Sequence, residues 1–167
     1  MSPFIVPVPA CGQKPRDGVD IAQGNPAYNT IMNFIGVEAT LLMDDKLLLI
    51  QRDNKPGLRF AGLWDFPGGG RENDKSPFEC ATREVREELN IKLYPGAVVW
   101  QKTYPAMNNP TLHAYFMVIK LSGNDVTSIK FGNEGQGWKF MSIDDFMQSD
   151  EVVAPLKGRL SDYLKNK

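Results

Sequence analysis

The chain has 167 residues, a formal net charge of -1, 42% hydrophobic and 23% charged residues. This is an ordinary composition for one globular domain with an extension, and the near-zero charge argues against a nucleic-acid polymer or an anionic membrane as partner. Two cysteines, Cys11 and Cys80, make neither a disulfide framework nor a zinc site.

Residues 1–30 are rich in Pro, Gly, Asn and Asp, and read as an extension with one short edge strand at Phe4 to Val8. Pro3, Pro7 and Pro9 interrupt its apolar residues and no basic n-region precedes them, so a signal peptide is not expected. No apolar run is long enough to span a membrane, and a cytoplasmic location is expected. The domain is expected over residues 31–167. "FIGVEATLLM" and "KLLLIQR" read as two strands joined by a hairpin at "DDK". "NKPGLRFAG" is a loop, and "LWDFPGGG" a short strand ending in a glycine turn. A helix is expected from Pro77 to about Leu89. "AVVWQKTYPA" and "TLHAYFMVIKL" are an antiparallel strand pair, and "GNEGQGWKFMS" a glycine-rich loop entering a strand. A short helix follows Ser142, and "APLKGRLSDYL" is a terminal helix weakened by Gly158. Interspersed strands and helices indicate an α/β or α+β layered domain.

The helix from Pro77 carries the chemistry. Ser76 is an N-cap, Pro77 suits the first helical position, and Glu79 completes a capping box. Asn90 suits a left-handed helix end. Phe78, Ala81, Val85 and Leu89 form the buried stripe, and Cys80 is expected on the apolar side as a packed residue. At roughly 100° per residue, Glu84, Glu87 and Glu88 share an arc of about 100° near the negative end of the helix dipole. A solvated face with Arg83 paired to Glu79 and Glu87 is the plain structural reading. Beside a core, however, two such charges repel by about 3 kcal/mol at an effective dielectric near 20. A divalent cation with hard oxygen ligands removes that penalty. The glycines of "PGGG" allow close backbone approach, and Glu134 in "GNEGQG" offers a further acid from a loop. Together these suit metal-assisted attack of water on a phosphate ester or anhydride.

"GGRENDKSPFECATREVREELNI" resembles the Nudix box of MutT-like pyrophosphohydrolases, G-x5-E-x7-R-E-U-x-E-E-x-G-U, with U bulky and aliphatic. Gly69, Arg83, Glu84, Val85, Glu87, Glu88 and Ile91 match, seven of the nine fixed positions. Lys75 stands where the pattern has glutamate, and Asn90 where it has glycine. "WDFPGGG" and "NEGQGWKFMSIDDF" are similar to flanking family segments, so the likeness covers about residues 33–167. It implies a mixed β-sheet sandwiched between α-helices. It implies hydrolysis of a nucleoside diphosphate linked to another moiety, with Mg²⁺ or Mn²⁺. By position, Glu84, Glu87, Glu88 and Glu134 are implied metal ligands, with the Gly69 carbonyl or its neighbour Gly68. Arg83 is implied to orient the glutamates, and Glu84 or Glu134 to take the proton of the attacking water. Arg52 and Gly69 are implied to meet substrate phosphate.

Lys75 reverses a charge and is expected to pair with Glu84 or Glu72, with fewer metals or a lower rate as the consequence. A binding or regulatory domain with impaired catalysis is therefore one alternative, and a non-nucleotide diphosphate hydrolase another. A homodimer is compatible with either. Phe66, Trp64, Tyr104, Tyr115 and Trp138 are the rings available to stack on a base, though such rings are more often core. Val153 stands where oxidised-guanine hydrolases carry a base-reading asparagine, which weakens that substrate. His113, the single histidine, reads as structural.

Overall fold

The computed structural model describes residues 33–167; the extension, Cys11 and the strand expected at Phe4 to Val8 lie outside them. Seven strands form one mixed sheet: β1 (Phe34–Met43), β2 (Lys46–Gln51), β3 (Trp64–Asp65), β4 (Gly68–Gly70), β5 (Val98–Pro105), β6 (His113–Lys120) and β7 (Gly137–Ser142). The main path runs β3-β2-β1-β6-β5, with β4 paired to β1 and β7 to β2. β1 and β6 are parallel, and every other pairing is antiparallel.

Four helices accompany the sheet: α1 (Pro77–Leu89), α2 (Gly123–Thr127), α3 (Ile143–Gln148) and α4 (Pro155–Asn166). The five-residue α2 has no counterpart among the expected elements. Its signal is short: the Ser122 N–H and hydroxyl both donate to Asp125.

Strand alternation sends side chains into two cores. On one face Val37, Leu41, Leu48, Tyr115 and Met117 meet Cys80, Val85 and Leu89 of α1. On the other, Leu47, Leu49, Phe116 and Val118 meet Phe146 of α3 and Leu156 and Leu160 of α4. Helices thus cover both faces, as the expected sandwich requires. No helix among the described residues is long and apolar enough to cross a membrane.

Candidate active site

Local sequence sets α1. The Ser76 Oγ accepts from the Glu79 N–H at 3.3 Å, and the Glu79 carboxylate accepts from the Ser76 N–H at 2.8 Å. Asn90 closes the helix in the left-handed conformation, with φ 57°. Glu79 is therefore occupied, and its expected pairing with Arg83 is not made. Arg83 turns the other way. Its Nη2 donates to Glu84 at 2.5 Å and to the Gly70 carbonyl at 2.7 Å, and its Nη1 donates to Glu87 at 3.0 Å. Glu72 approaches its Nε within 3.3 Å, without the alignment of a hydrogen bond.

The glycine turn brings backbone against these acids. Gly36 of β1 pairs with Gly70 of β4, and a Cβ on Gly36 would stand 2.6 Å from the Gly69 carbonyl. A Cβ on Gly69 would run into the Glu84 carboxylate. Gly68 donates its N–H to the Glu88 carboxylate at 3.0 Å. A loop then ties the end of α1 to the opposite wall: Gly132 N–H donates to the Glu88 carbonyl, and Gln136 to the carbonyls of Gln51 and Arg52. That loop carries Glu134, exposed and close enough to Glu88 to raise its proton affinity.

The cleft beside this turn holds about 380 Å³ and is floored by Glu38, Asp65 and Gly68–Gly70. Arg52 lines it, but its Nη1 donates to Asp65 at 2.8 Å and its Nε to the Arg59 carbonyl. Phe66 contributes to the floor, yet its ring is 2% exposed and stacks on Phe146 at 5.0 Å. Its faces are spent in the core rather than offered to a base. Val153 is fully buried and also presents nothing to the cleft. Tyr115 lies in the core, and the Tyr104 hydroxyl donates to Asp162.

Electrostatics mark the acids as a strained set. Burial pushes the Glu88 carboxyl up to about 8; the Gly68 N–H opposes this, while Glu84, Asp65 and Glu134 add to it. Burial raises Glu84 too, against the pull of Arg83. Glu38 is pushed up to about 7 by burial despite Arg159, and burial raises Asp65 despite Arg52.

This donor set fits a hard divalent cation: carboxylates and a peptide carbonyl only, around a buried acid that like charges destabilise. Among the described residues, however, no three His, Cys, Asp or Glu side chains converge closely enough to hold a metal ion. Arg83 draws Glu84 and Glu87 to itself, while Glu88 points at Gly68. Lys75 sits 3.6 Å from Glu72, the nearer of its two expected partners. Sequence reasoning missed Glu38 and Arg159 altogether, although a lone glutamate inside an apolar strand run was a usable signal.

The NUDIX domain family model matches residues 32–163. CTP pyrophosphohydrolase of Escherichia coli K12 is 42% identical over 69 residues, which are 41% of this chain and 50% of that protein. The match thus spans about half the length of that curated relative. Among solved structures, a MutT protein from Methanosarcina mazei Go1 is 22% identical, with a TM-score of 0.62, and the match covers 80% of this chain and 95% of that one. A bifunctional NMN adenylyltransferase/ADP ribose pyrophosphatase from Francisella tularensis, complexed with AMP and an Mn ion, is 21% identical, with a TM-score of 0.66. That match covers 80% of this chain and 42% of that one. At these identities the two structures speak for the fold.

Proposed function

The chain belongs to the NUDIX domain family, and from that premise we propose that it hydrolyses phosphoric anhydrides in nucleotide derivatives, with Mg²⁺ or Mn²⁺. The observation that carries this reading is the meeting of Glu84 and Glu88 with the Gly68–Gly69 turn at the edge of the cleft. The E. coli relative's name, a pyrophosphohydrolase of CTP, agrees with it. So does the Francisella protein, which is complexed with AMP and an Mn ion.

Glu84, Glu87, Glu88, Glu134 and the Gly69 carbonyl would hold the metal, which when bound lowers the pKa of water and neutralises phosphate charge. The chain's own residues do the rest. Arg83 orients Glu84 and Glu87 by separate nitrogens and fixes them to the Gly70 carbonyl. Gly68 and Gly69 present backbone to the phosphates, where a side chain would collide with β1 and with Glu84 respectively. Glu84, raised above its ordinary value by burial and only partly exposed, takes the proton of the attacking water. Glu134, exposed on its loop, is the second candidate for that role. Arg52 meets the substrate through the part of its guanidinium not spent on Asp65 and Arg59.

The test is release of phosphate, pyrophosphate or monophosphate from nucleoside tri- and diphosphate derivatives, with sugar and prenyl diphosphates included. Wild type, Glu84→Gln, Glu87→Gln and Glu134→Gln are compared across a Mg²⁺ titration. Metal-dependent turnover that Glu87→Gln cuts by at least about tenfold supports the reading. Equal rates in both proteins overturn the metal assignment, and binding without turnover replaces the enzyme with a binding domain.

A further inference from the structure

Glu38 is the charged residue least explained by the chemistry above. It lies on β1, aligned with Gly68 of β4, and its side chain turns to the α4 face rather than to α1. One carboxylate oxygen accepts from Arg159 Nη1. Arg159 is itself buried on α4 and cannot drift, because its Nη2 donates to the Pro105 carbonyl at 2.9 Å and its guanidinium lies over the Tyr104 ring at 5.0 Å. Tyr104 is in turn fixed by Asp162, which also accepts from Lys102. A carboxylate so held is a preorganised acceptor. Its second oxygen has no hydrogen-bond partner among the described residues, and Glu38 lines the cleft.

The surroundings restrict what this acceptor can receive. Asp65 stands close enough to Glu38 to feel its charge, so this end of the floor carries two acids. Asp65 and Glu38 already engage Arg52 and Arg159, so a neutral group suits this end of the floor better than a phosphate. Phe60, Ala106, Met107 and Ala114 supply apolar wall around it. Apolar walls with an aimed carboxylate, which in its ionised form only accepts, suit a flat neutral ring bearing N–H donors. Among nucleobases, cytosine and adenine present an exocyclic amino group, whereas uracil and hypoxanthine present a carbonyl at that position. A carbonyl oxygen set against a fixed carboxylate is repulsive, so for a ring held in one orientation by the walls the contact favours the amino member.

We propose that Glu38, positioned by Arg159, reads the substrate base and selects nucleotides whose base carries an amino group at C4 of a pyrimidine or C6 of a purine. The inference rests on the nucleotide-derivative reading above but not on turnover. Binding is therefore measured calorimetrically without added metal at about pH 8, where the Glu38 carboxyl is mostly ionised, for the pairs CMP/UMP and AMP/IMP up to about 10 mM. Each pair shares its sugar and phosphate.

The expected result is at least about tenfold tighter binding of the amino member in one pair or both. Glu38→Gln, whose amide both donates and accepts, is expected to bring that ratio toward one. Equal affinities within both pairs, or no binding of any of the four, overturn the proposal. A preference that Glu38→Gln leaves intact also overturns it. Should that variant fail to fold, the wild-type pairs decide, with zebularine monophosphate, which has neither the amino group of CMP nor the carbonyl of UMP at that position, expected to bind more weakly than CMP and no more weakly than UMP. An amino preference without hydrolysis sinks only the enzymatic reading, and hydrolysis without the preference sinks only this one.

Discussion

The Gly68 N–H donates to the Glu88 carboxylate at 3.0 Å, and this is the only hydrogen bond to that side chain among the described residues. One peptide dipole is set against burial and three neighbouring acids, Glu84, Asp65 and Glu134, and the carboxyl rises to about 8. The same bond fastens α1 to the glycine turn. The residue that anchors the site is thus also the one that most needs a positive charge beside it.

A pH dependence follows. The folded carboxyl of Glu88, at about 8, holds its proton well above the ordinary 4.5, so between these values the folded chain binds a proton that the unfolded chain has lost. Stability then falls as pH rises through that window and levels above it. Glu38, at about 7, acts in the same sense. Melting temperature in chelator is expected to drop by several degrees from about pH 5 to about pH 8. Millimolar Mg²⁺ is expected to raise it more at the higher pH, because a bound cation favours the ionised carboxylate. A melting temperature that climbs over this range, or a Mg²⁺ effect indifferent to pH, contradicts the account.

Gly36 tests the turn from its other side. An added methyl would stand 2.6 Å from the Gly69 carbonyl and 3.4 Å from its carbon, both backbone atoms that cannot swing aside. Gly36→Ala is expected to displace β4, costing about 1–3 kcal/mol of stability and at least about tenfold in turnover. Gly96→Ala is the control. A methyl there would meet no atom within 4 Å, and the change is expected to alter stability by less than about 0.5 kcal/mol. Denaturant melts of the two variants, with turnover measured beside them, check the contrast.

What could be read from the sequence was local. The box helix, its capping box and its asparagine end all depend on residues within four positions of one another. The hairpin at Asp44 and Asp45 and the β5–β6 pairing follow from strand runs separated by turn residues. The pairing of Glu38 with Arg159 spans 121 positions and exists only because α4 returns across the face of the sheet that Glu38 shares. Arg83 was expected to reach Glu79, but helical spacing alone does not reveal that Glu79 is held by Ser76. Phe66 sits next to the glycine turn in sequence, and only the packing of α3 against the sheet turns its ring away from the cleft. Glu72 meets Arg83 through the bend of the loop before α1, which residue identities do not encode at any fixed spacing.

That loop makes Lys75 testable. Its ammonium lies 3.6 Å from Glu72, whose carboxylate lies 3.3 Å from Arg83 Nε. Glu72 thus supplies an acid to Arg83 where the box pattern would place one at position 75, and Lys75 offsets its charge. Lys75→Glu removes the ammonium and adds a second acid from the loop, beyond Glu72, to the three carboxylates already around Arg83. The guanidinium is then shared among more carboxylates and holds Glu84 and Glu87 less tightly, leaving them freer for a cation. Mg²⁺ half-saturation, measured by turnover and by calorimetry, is expected to fall a few-fold, a modest gain because Lys75 and Glu72 are partly exposed and screened by solvent. Lys75→Met separates loss of the lysine charge from gain of the acid, and is expected to fall between the two. If both variants bind Mg²⁺ as the wild type does, Lys75 has no hold on the site, and Arg83 alone governs how the box acids are shared.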